Sequence, residues 1–481
     1  MDADLMSIAE LSHSLGARHF SFSGNSGFSC VAIDSRRVNE GALFFALAGA
    51  LFDGHSFVSD ALHQGARGAV VEASKLESFD LVKIAQTLRK DLIVVKESLK
   101  ALQDSARIYL DKFPNLLKIG ITGSCGKSTT KEIAAAIISC EKNTVMNKGN
   151  LNSETGFPLS AFEVRSEHEV GIFELATSRP GEISDIAKVL KPNIALITNI
   201  GSAHIEYFGS KSKILEEKKN IFTCMSDNGV ALIPKNDEYA DELAHSVRGK
   251  VKFYGADTFA ELEEVRDLGL EGSEIIWAGE KIHFALAGKH SLDDALAAIA
   301  IAKEVPVSSK AIKKGLESVK PLFGRLEILK GRTTVIRDCY NANPESTAKS
   351  VDFCNSLDWQ GRKVYVAADM LELGEASFSA HTRLGALLSE SKADKVFLFG
   401  REIEAAASYM TGKAKPFFYT DNIDKLSAAL ESFLQDGDLV LLKGSRGCAL
   451  ERLTEMLTAS SSAASSAAQK EISVAEAKNV S

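Results

Sequence analysis

The chain has no excess of basic residues: 56 Lys and Arg stand against 64 Asp and Glu, a formal charge of −8 in 481 residues. That balance gives no support to general nucleic-acid binding or attachment to an anionic membrane surface. Long apolar runs are missing as well. The longest, Ala295 to Ala302, falls far short of the roughly 20 residues a membrane-spanning helix needs, so no membrane insertion is expected. The opening Met1-Asp2-Ala3-Asp4 has no basic segment followed by an apolar one, which argues against a secretory signal. The seven cysteines are scattered, odd in number and never spaced Cys-x-x-Cys. They read as the reduced, mostly packed thiols of a cytoplasmic enzyme. There is no internal repeat. Hydrophobic content of 45% and charged content of 25% are ordinary for a soluble globular chain, and the length suggests about three domains.

Against this plain background one stretch stands out. Leu116 to Thr122 reads as an apolar strand, Gly123-Ser124-Cys125-Gly126-Lys127-Ser128 as a glycine-punctuated turn, and Thr129 to Ile138 as a helix of good formers. Strand, turn and helix in that order make a phosphate-binding P-loop. Glycines let the backbone turn its N–H groups inward and the helix N-terminus adds partial positive charge. Lys127 reaches the β- and γ-phosphates, and Ser128 can ligate Mg²⁺. ATP contacts are therefore expected from Thr122, Gly123, Ser124, Cys125, Gly126, Lys127, Ser128 and Thr129. Gly120 sits one place too early for the usual Gly-x-x-x-x-Gly-Lys spacing. Cys125 is unusual there but supplies only its backbone.

The remainder divides into α/β units. Residues 1–112 mix short strands (around 30–33, 42–47, 69–71 and 92–95) with helices, and carry Asp34-Ser35-Arg36 and Asp53-Gly54-His55 at turns. Residues 113–320 alternate strand and helix after the P-loop, with near-continuous apolar strands at 170–175, 194–199 and 230–233 that imply a parallel sheet covered on both faces. Ligands gather at the carboxyl ends of such strands, which is where Glu174, Thr198, Asn199 and His204 fall. Residues 321–458 repeat the pattern as a separate open parallel sheet. The Ala/Ser-rich stretch 459–481 cannot bury a core and is expected to be disordered.

Singly, these polar residues are ambiguous, since a strand-end glutamate is usually a solvated rim charge and a loop histidine a bystander. Their order is specific. With the P-loop, the strings Gly149-Asn150-Leu151-Asn152, Glu174-Leu175, Thr198-Asn199-Ile200-Gly201-Ser202-Ala203-His204 and Phe208-Gly209-Ser210 resemble the ATP-dependent Mur ligases of peptidoglycan synthesis. The likeness covers nearly the whole chain. It implies three α/β domains: a small N-terminal UDP-sugar-binding unit, a central P-loop ATPase-like sheet and a C-terminal Rossmann-like unit.

Three further strings, Asp338 to Pro344, Asp369 to Gly374 with His381, and Lys443 to Arg446, look like the member of the family whose partners are UDP-N-acetylmuramoyl-tripeptide and D-alanyl-D-alanine. Its reaction phosphorylates a carboxylate and then lets an amine displace the phosphate. The alternatives are the sister ligase that adds the third amino acid, whose Asp-Tyr-Ala-His-Thr-Pro and Asn-Pro-Arg strings are absent, and a non-catalytic P-loop nucleotide switch.

By the resemblance, Lys127, Glu174, His204 and Lys218 are the catalytic set. Ser128 and Glu174 hold one Mg²⁺ and His204 serves a second, with Lys218, as a carbamate, also able to bind Mg²⁺. Asn152, Arg325 and Asp338 join the ATP contacts. Ser35 and Arg36 are the candidates for the uridine end, and Asn341, Asn343, Lys443 and Arg446 for the other substrate groups. A monomer is expected. The chain also departs from the family. Where His-Asn-x-x-Asn-Ala is common it has His290-Ser291-Leu292-Asp293-Asp294-Ala295, and serine and aspartate offer adenine less than two amides do. Ala176 replaces a common glycine and Arg337 a frequent aspartate.

Overall fold

A computed structural model describes residues 4–24, 27–49, 51–226 and 228–459. The Ala/Ser-rich tail lies outside the described residues apart from Ala459. Three α/β sheets follow one another along the chain. The first has the order 18–20, 91–95, 68–72, 42–45, 30–32, parallel except at its 18–20 edge. The second, wholly parallel, runs 250–254, 230–234, 194–197, 117–122, 170–174, 144–146. The third runs 327–330, 334–338, 439–443, 363–368, 395–399, 417–420, with only its first pair antiparallel.

In the central sheet the strand order decides where chemistry is possible. The P-loop strand Leu117–Thr122 lies between Val170–Glu174 and Ile194–Ile197, so successive connections leave to opposite sides at this point. A crevice opens at the carboxyl ends of the strands wherever this happens. Glu174 and Thr198 therefore flank Gly123. Gly120 belongs to the strand, not the loop. A methyl group there would come within 3.2 Å of Leu190 and 3.3 Å of Ile221, so its smallness serves helix-to-sheet packing.

The apolar run Ala295 to Ala302 lies within the helix Lys289–Lys303, almost wholly buried between the P-loop helix Lys127–Ile138 and the sheet. Burial on every side explains why it lacks a polar stripe. Helix Ser98–Leu110 sits at the seam of the first two sheets. Its Tyr109 hydroxyl donates to the Val164 carbonyl at 2.7 Å, and one apolar cluster runs from Met6 to Leu243 through the seam. A three-stranded antiparallel sheet at 262–267, 273–277 and 280–284 is an element that the sequence pattern did not announce. Its strands alternate buried and exposed residues, and the buried ones, Ile275, Trp277, Ile282 and Phe284, cover the outer helices of the central unit. Among the described residues no helix is long and apolar enough to cross a membrane, and none of the seven cysteines forms a disulfide.

Candidate active site

Backbone geometry at the P-loop follows its two glycines. Gly123 has φ +149° and a Cβ there would lie 1.8 Å from Thr198 Oγ1; Gly126 has φ +83° and a Cβ would lie 2.1 Å from Asp294 Oδ1. No other residue fits at either place. The Thr198-Asn199 string braces the loop from below. Ser124 N donates to Asn199 O at 3.0 Å and Cys125 N to Asn199 Oδ1 at 3.1 Å, while Cys125 O accepts from Thr198 Oγ1 at 2.5 Å and Asn199 Nδ2 at 3.0 Å. Ser124 Oγ accepts from Gly201 N at 2.8 Å and donates to Gly201 O at 3.1 Å. Ser124 to Thr129 line a cavity of about 760 Å³. Thr122 and Gly123 do not. The Thr122 side chain is buried and its hydroxyl donates to Leu175 O at 2.8 Å, so its expected ATP contact is not formed by that group.

Glu174 is the centre of the polar network. Its Oε2 accepts from Ser128 Oγ at 2.6 Å and its Oε1 from Asn152 Nδ2 at 2.9 Å. Asn147 holds the strand end in place: Glu174 N donates to Asn147 Oδ1, and Asn147 Nδ2 donates to Glu174 O, both at 2.9 Å. Buried Lys131 in turn donates to Asn147 O at 2.6 Å. The sequence reading missed Asn147 and Lys131; the only signal was an asparagine directly after the short strand Thr144–Met146. Asn152 meets the carboxylate of Glu174, although a phosphate contact was expected of it. The paired oxygens of Ser128 and Glu174 beside a helix N-terminus suit a hard divalent cation.

His204, another expected metal ligand, does not join them in a metal-sized cluster. Among the described residues no three His, Cys, Asp or Glu side chains form a metal-sized group. His204 borders the cavity, but its Nδ1 lies 2.5 Å from Glu372 Oε2 of the third sheet's domain. The contact is an ion-pair approach and not a well-angled hydrogen bond, and the imidazole holds the Glu372 carboxyl below its usual range. His204 has φ +61°, an uncommon conformation for a non-glycine residue.

Lys218 is buried, and its Nζ donates to Gly123 O at 2.9 Å. Lys127 Nζ donates to the same carbonyl at 2.8 Å. Burial, then the charge of Lys127, pull the Lys218 ammonium down to about 7. Burial lowers Lys127 too, against the pull of Glu174. Neighbouring Lys219 faces outward and pairs with Glu216, which removes the ambiguity of register between the two lysines.

The third domain closes the cavity. Arg325 stacks on Tyr340, 4.2 Å from the ring centre, and donates to Ser128 Oγ at 3.0 Å. Asp338 accepts from Ser350 Oγ at 2.5 Å and pairs with Lys443 at 2.9 Å. Burial raises its pKa, but Lys443 and these hydrogen bonds outweigh burial and the net shift is downward. Lys443 also donates to Asn341 O at 2.8 Å.

Both ends of the Asn343 amide are engaged. Its Oδ1 caps helix Pro344–Ser356 at Ser346 N, and its Nδ2 donates to Cys125 Sγ at 3.1 Å. Arg446 turns to Glu451 at 2.9 Å and lies over Phe323, away from the cavity. Arg337, where an aspartate is frequent, pairs with Glu327. Ser291 donates back to Ala287 O at 2.7 Å. Burial and neighbouring Asp293 push the Asp294 carboxyl well above its usual range, and burial pushes the His290 imidazole down to about 4. Ser35 and Arg36 lie in the first domain, apart from this cavity. Ser35 opens a short turn capped by Asp34, and the exposed Arg36 pairs with that Asp34 at 2.8 Å.

Comparison with known proteins matches the Mur ligase family's catalytic domain to residues 28–109, the Mur ligase middle domain to 121–302 and the Mur ligase glutamate ligase domain to 324–446. A UDP-N-acetylmuramoyl-tripeptide--D-alanyl-D-alanine ligase of Treponema pallidum is 41% identical over 444 residues, 92% of this chain and 96% of the relative. The ligase of that name from Escherichia coli is 30% identical over 439 residues, 89% and 93% of the two chains. Among solved structures, MurF from Acinetobacter baumannii superposes with a TM-score of 0.84 at 29% identity, covering 94% of this chain and 98% of that one. MurF from Thermotoga maritima in complex with ADP gives 0.75 at 29% identity, covering 89% and 97%.

Proposed function

Because this chain belongs to the Mur ligase family, we propose that it joins D-alanyl-D-alanine to UDP-N-acetylmuramoyl-tripeptide at the expense of ATP. The observation that carries this reading is the convergence of Lys127, Ser128, Glu174 and Asn152 with Arg325, contributed by another domain, on one cavity. The names of the curated relatives favour the dipeptide over a single amino acid and an enzyme over a nucleotide switch.

A carboxylate is a poor acyl electrophile. In the first step its oxygen attacks the γ-phosphorus of ATP, the bond to the bridging oxygen breaks and ADP leaves. In the second, the amine of the dipeptide attacks the acyl carbon, loses its proton, and the C–O bond breaks to release phosphate carrying one oxygen of the original carboxylate. Little covalent chemistry falls to the protein, so positioning and charge neutralisation carry the rate. The P-loop N–H groups and Lys127 hold the phosphates, and Arg325 adds a second cation from above. Ser128 and Glu174 are the residues that would hold Mg²⁺, which supplies further neutralisation of phosphate charge when bound. With the outer domain shut over the cavity, water is kept from the acyl phosphate.

Lys218 is the candidate for a carbamate. CO₂ adds only to a neutral amine, and an ammonium lowered to about 7 supplies that form near neutrality. A carbamate would replace a second cation beside Gly123 by an anion. The protein acts as a cytoplasmic monomer on this reading. The test is phosphate release with ¹⁸O-labelled carboxylate. Release that needs both the tripeptide nucleotide and D-alanyl-D-alanine, with label in the phosphate, is expected. Equal release with a single amino acid and the shorter nucleotide precursor would favour the sister reaction. For Lys218, Lys218→Ala is expected to lose activity and to recover part of it with a short-chain carboxylate; full activity without one removes the role.

A further inference from the structure

Two buried residues that the reaction does not use stand directly behind the pair Ser128 and Glu174. Lys131 lies one turn after Ser128 on the P-loop helix, so the two side chains leave the same face. Lys131 is 1% exposed and Asn147 is fully buried. Neither borders the nucleotide cavity, whereas Ser128 and Glu174 both do.

The contacts close a ring. From Ser128 Oγ the path crosses to Glu174 Oε2 at 2.6 Å. The Asn147 amide grips the Glu174 backbone twice, Oδ1 accepting from Glu174 N and Nδ2 donating to Glu174 O, each at 2.9 Å. Asn147 O accepts from Lys131 Nζ at 2.6 Å, and the helix leads back to Ser128. A second ring passes through the same asparagine. Asn147 Nδ2 also donates to Leu151 O at 2.9 Å, and the next residue, Asn152, donates to Glu174 Oε1 at 2.9 Å. Both carboxylate oxygens of Glu174, and both of its main-chain polar groups, are thereby fixed.

Packing alone gives no reason for a charge at Lys131. A buried ammonium carries a desolvation cost that an apolar side chain of similar volume does not. Among the described residues, only the Asn147 carbonyl and Glu132, 3.2 Å away, offset it.

We propose that Lys131 and Asn147 are positioning residues that hold Ser128 and Glu174 at the spacing of a small divalent cation and so select Mg²⁺ over Ca²⁺. The proposal rests on the reading of Ser128 and Glu174 as the residues that would hold Mg²⁺ in the ligase. Oxygens bound at right angles, about 2.0–2.1 Å from Mg²⁺, lie about 2.9 Å from one another, whereas bonds of about 2.3–2.6 Å to Ca²⁺ put them about 3.3–3.7 Å apart. Ser128 Oγ and Glu174 Oε2, at 2.6 Å, need a small opening for the first ion and a large one for the second. The rings resist the large one. The carboxylate cannot swing away without leaving Asn152, and the strand end cannot retreat without breaking its two bonds to Asn147. Asn147 in turn cannot follow it without leaving Lys131. Mg²⁺ also demands stricter geometry than Ca²⁺, so a loosened pair loses Mg²⁺ first.

Calorimetry of ADP binding to the full chain in Mg²⁺, in Ca²⁺ and in EDTA tests this without requiring turnover. The wild type is expected to bind ADP more tightly in Mg²⁺ than in Ca²⁺. Lys131→Met fills the same space without the donor, and Asn147→Ala removes the grip on Glu174. Each should lower ADP affinity in Mg²⁺ about 10- to 100-fold, bring the ratio of affinities in Mg²⁺ and Ca²⁺ close to one, and leave affinity in EDTA at the wild-type value. Lys131→Met should also keep or raise the melting midpoint, which separates a metal defect from a folding defect.

A wild-type ratio in Lys131→Met overturns the clamp, and so does a loss of affinity that is equally large in EDTA, the mark of a merely structural role. A wild type whose ADP affinity does not respond to Mg²⁺ overturns the clamp together with the cation's assignment to Ser128 and Glu174. The ligase reading is judged separately, by dipeptide-dependent phosphate release from the wild type, and its failure leaves these binding ratios readable.

Discussion

Lys218 is a cation placed where a cation is costly. Its ammonium is pulled down to about 7 by burial and by Lys127, so the folded chain holds that proton less tightly than the unfolded chain, where the ordinary value is 10.5. Stability therefore rises as pH climbs from 7 toward 10.5, and the full penalty is present below 7. Lys218→Met is expected to stabilise the ligand-free protein at neutral pH by roughly 1–3 kcal/mol and to abolish ligation. Chemical denaturation at pH 7 and at pH 9.5 checks the first part, with the gain shrinking at the higher pH. At Gly126 stability and chemistry depend on the same residue and run together. Gly126→Ala would strain a left-handed backbone and drive a methyl into Asp294, 2.1 Å away. Loss of measurable ADP binding by calorimetry is expected, with a destabilisation of about 1–3 kcal/mol. These two residues differ in how far they could be read from sequence. A P-loop glycine is announced by its neighbours, because the loop's task uses contiguous backbone. Whether Lys218 or Lys219 points inward depends on where a short helix ends against the sheet, and local composition holds no record of that.

Among the elements, helix Pro344–Ser356 does most to join the domains. Asn343 and Ser346 cap each other at its start, Asn343 Nδ2 reaches Cys125 in the P-loop, and Glu345 in the first turn accepts from Ser202 Oγ at 2.6 Å and pairs with Lys211 at 3.3 Å. Asn343→Ala removes both the cap and the bridge. A loss of about 1–2 kcal/mol from the third domain, together with a raised KM for ATP, is expected; Asn343→Asp, which keeps the cap but not the amide donor, should restore stability and leave the ATP defect. The Asn-Pro pair signals a helix start in any protein, so this element was legible, whereas its contact with the P-loop was not. The antiparallel strands 262–284 were hidden for a different reason. Glutamate, arginine and lysine fill their outer face, and the alternation with Ile275, Trp277, Ile282 and Phe284 becomes plain only once the helices they cover are in place.

At the scale of the molecule, the site exists because two domains meet. Arg325 and Asn343 touch Ser128 and Cys125 across the seam, and Glu345 and Glu372 touch Ser202, Lys211 and His204 beside them. Glu345→Ala should loosen this closure without harming either fold. The expected outcome is a larger radius of gyration by small-angle scattering with nucleotide bound, and a kcat lowered about tenfold, with the melting midpoint unchanged. What the sequence determined alone was everything carried by short contiguous strings: the P-loop, the strand ends that deliver Glu174 and Thr198, the parallel sheets, and the family to which they belong. What only the tertiary structure decided was which charges are free. Lys443, Arg446 and Asn343 are spent on partners between 3 and 218 residues away, while the Arg401 guanidinium, without a partner among the described residues, is left open beside a second cavity. A charge's availability depends on what folding brings to it, and pairing between distant segments obeys distance in space, which the order of residues does not encode locally.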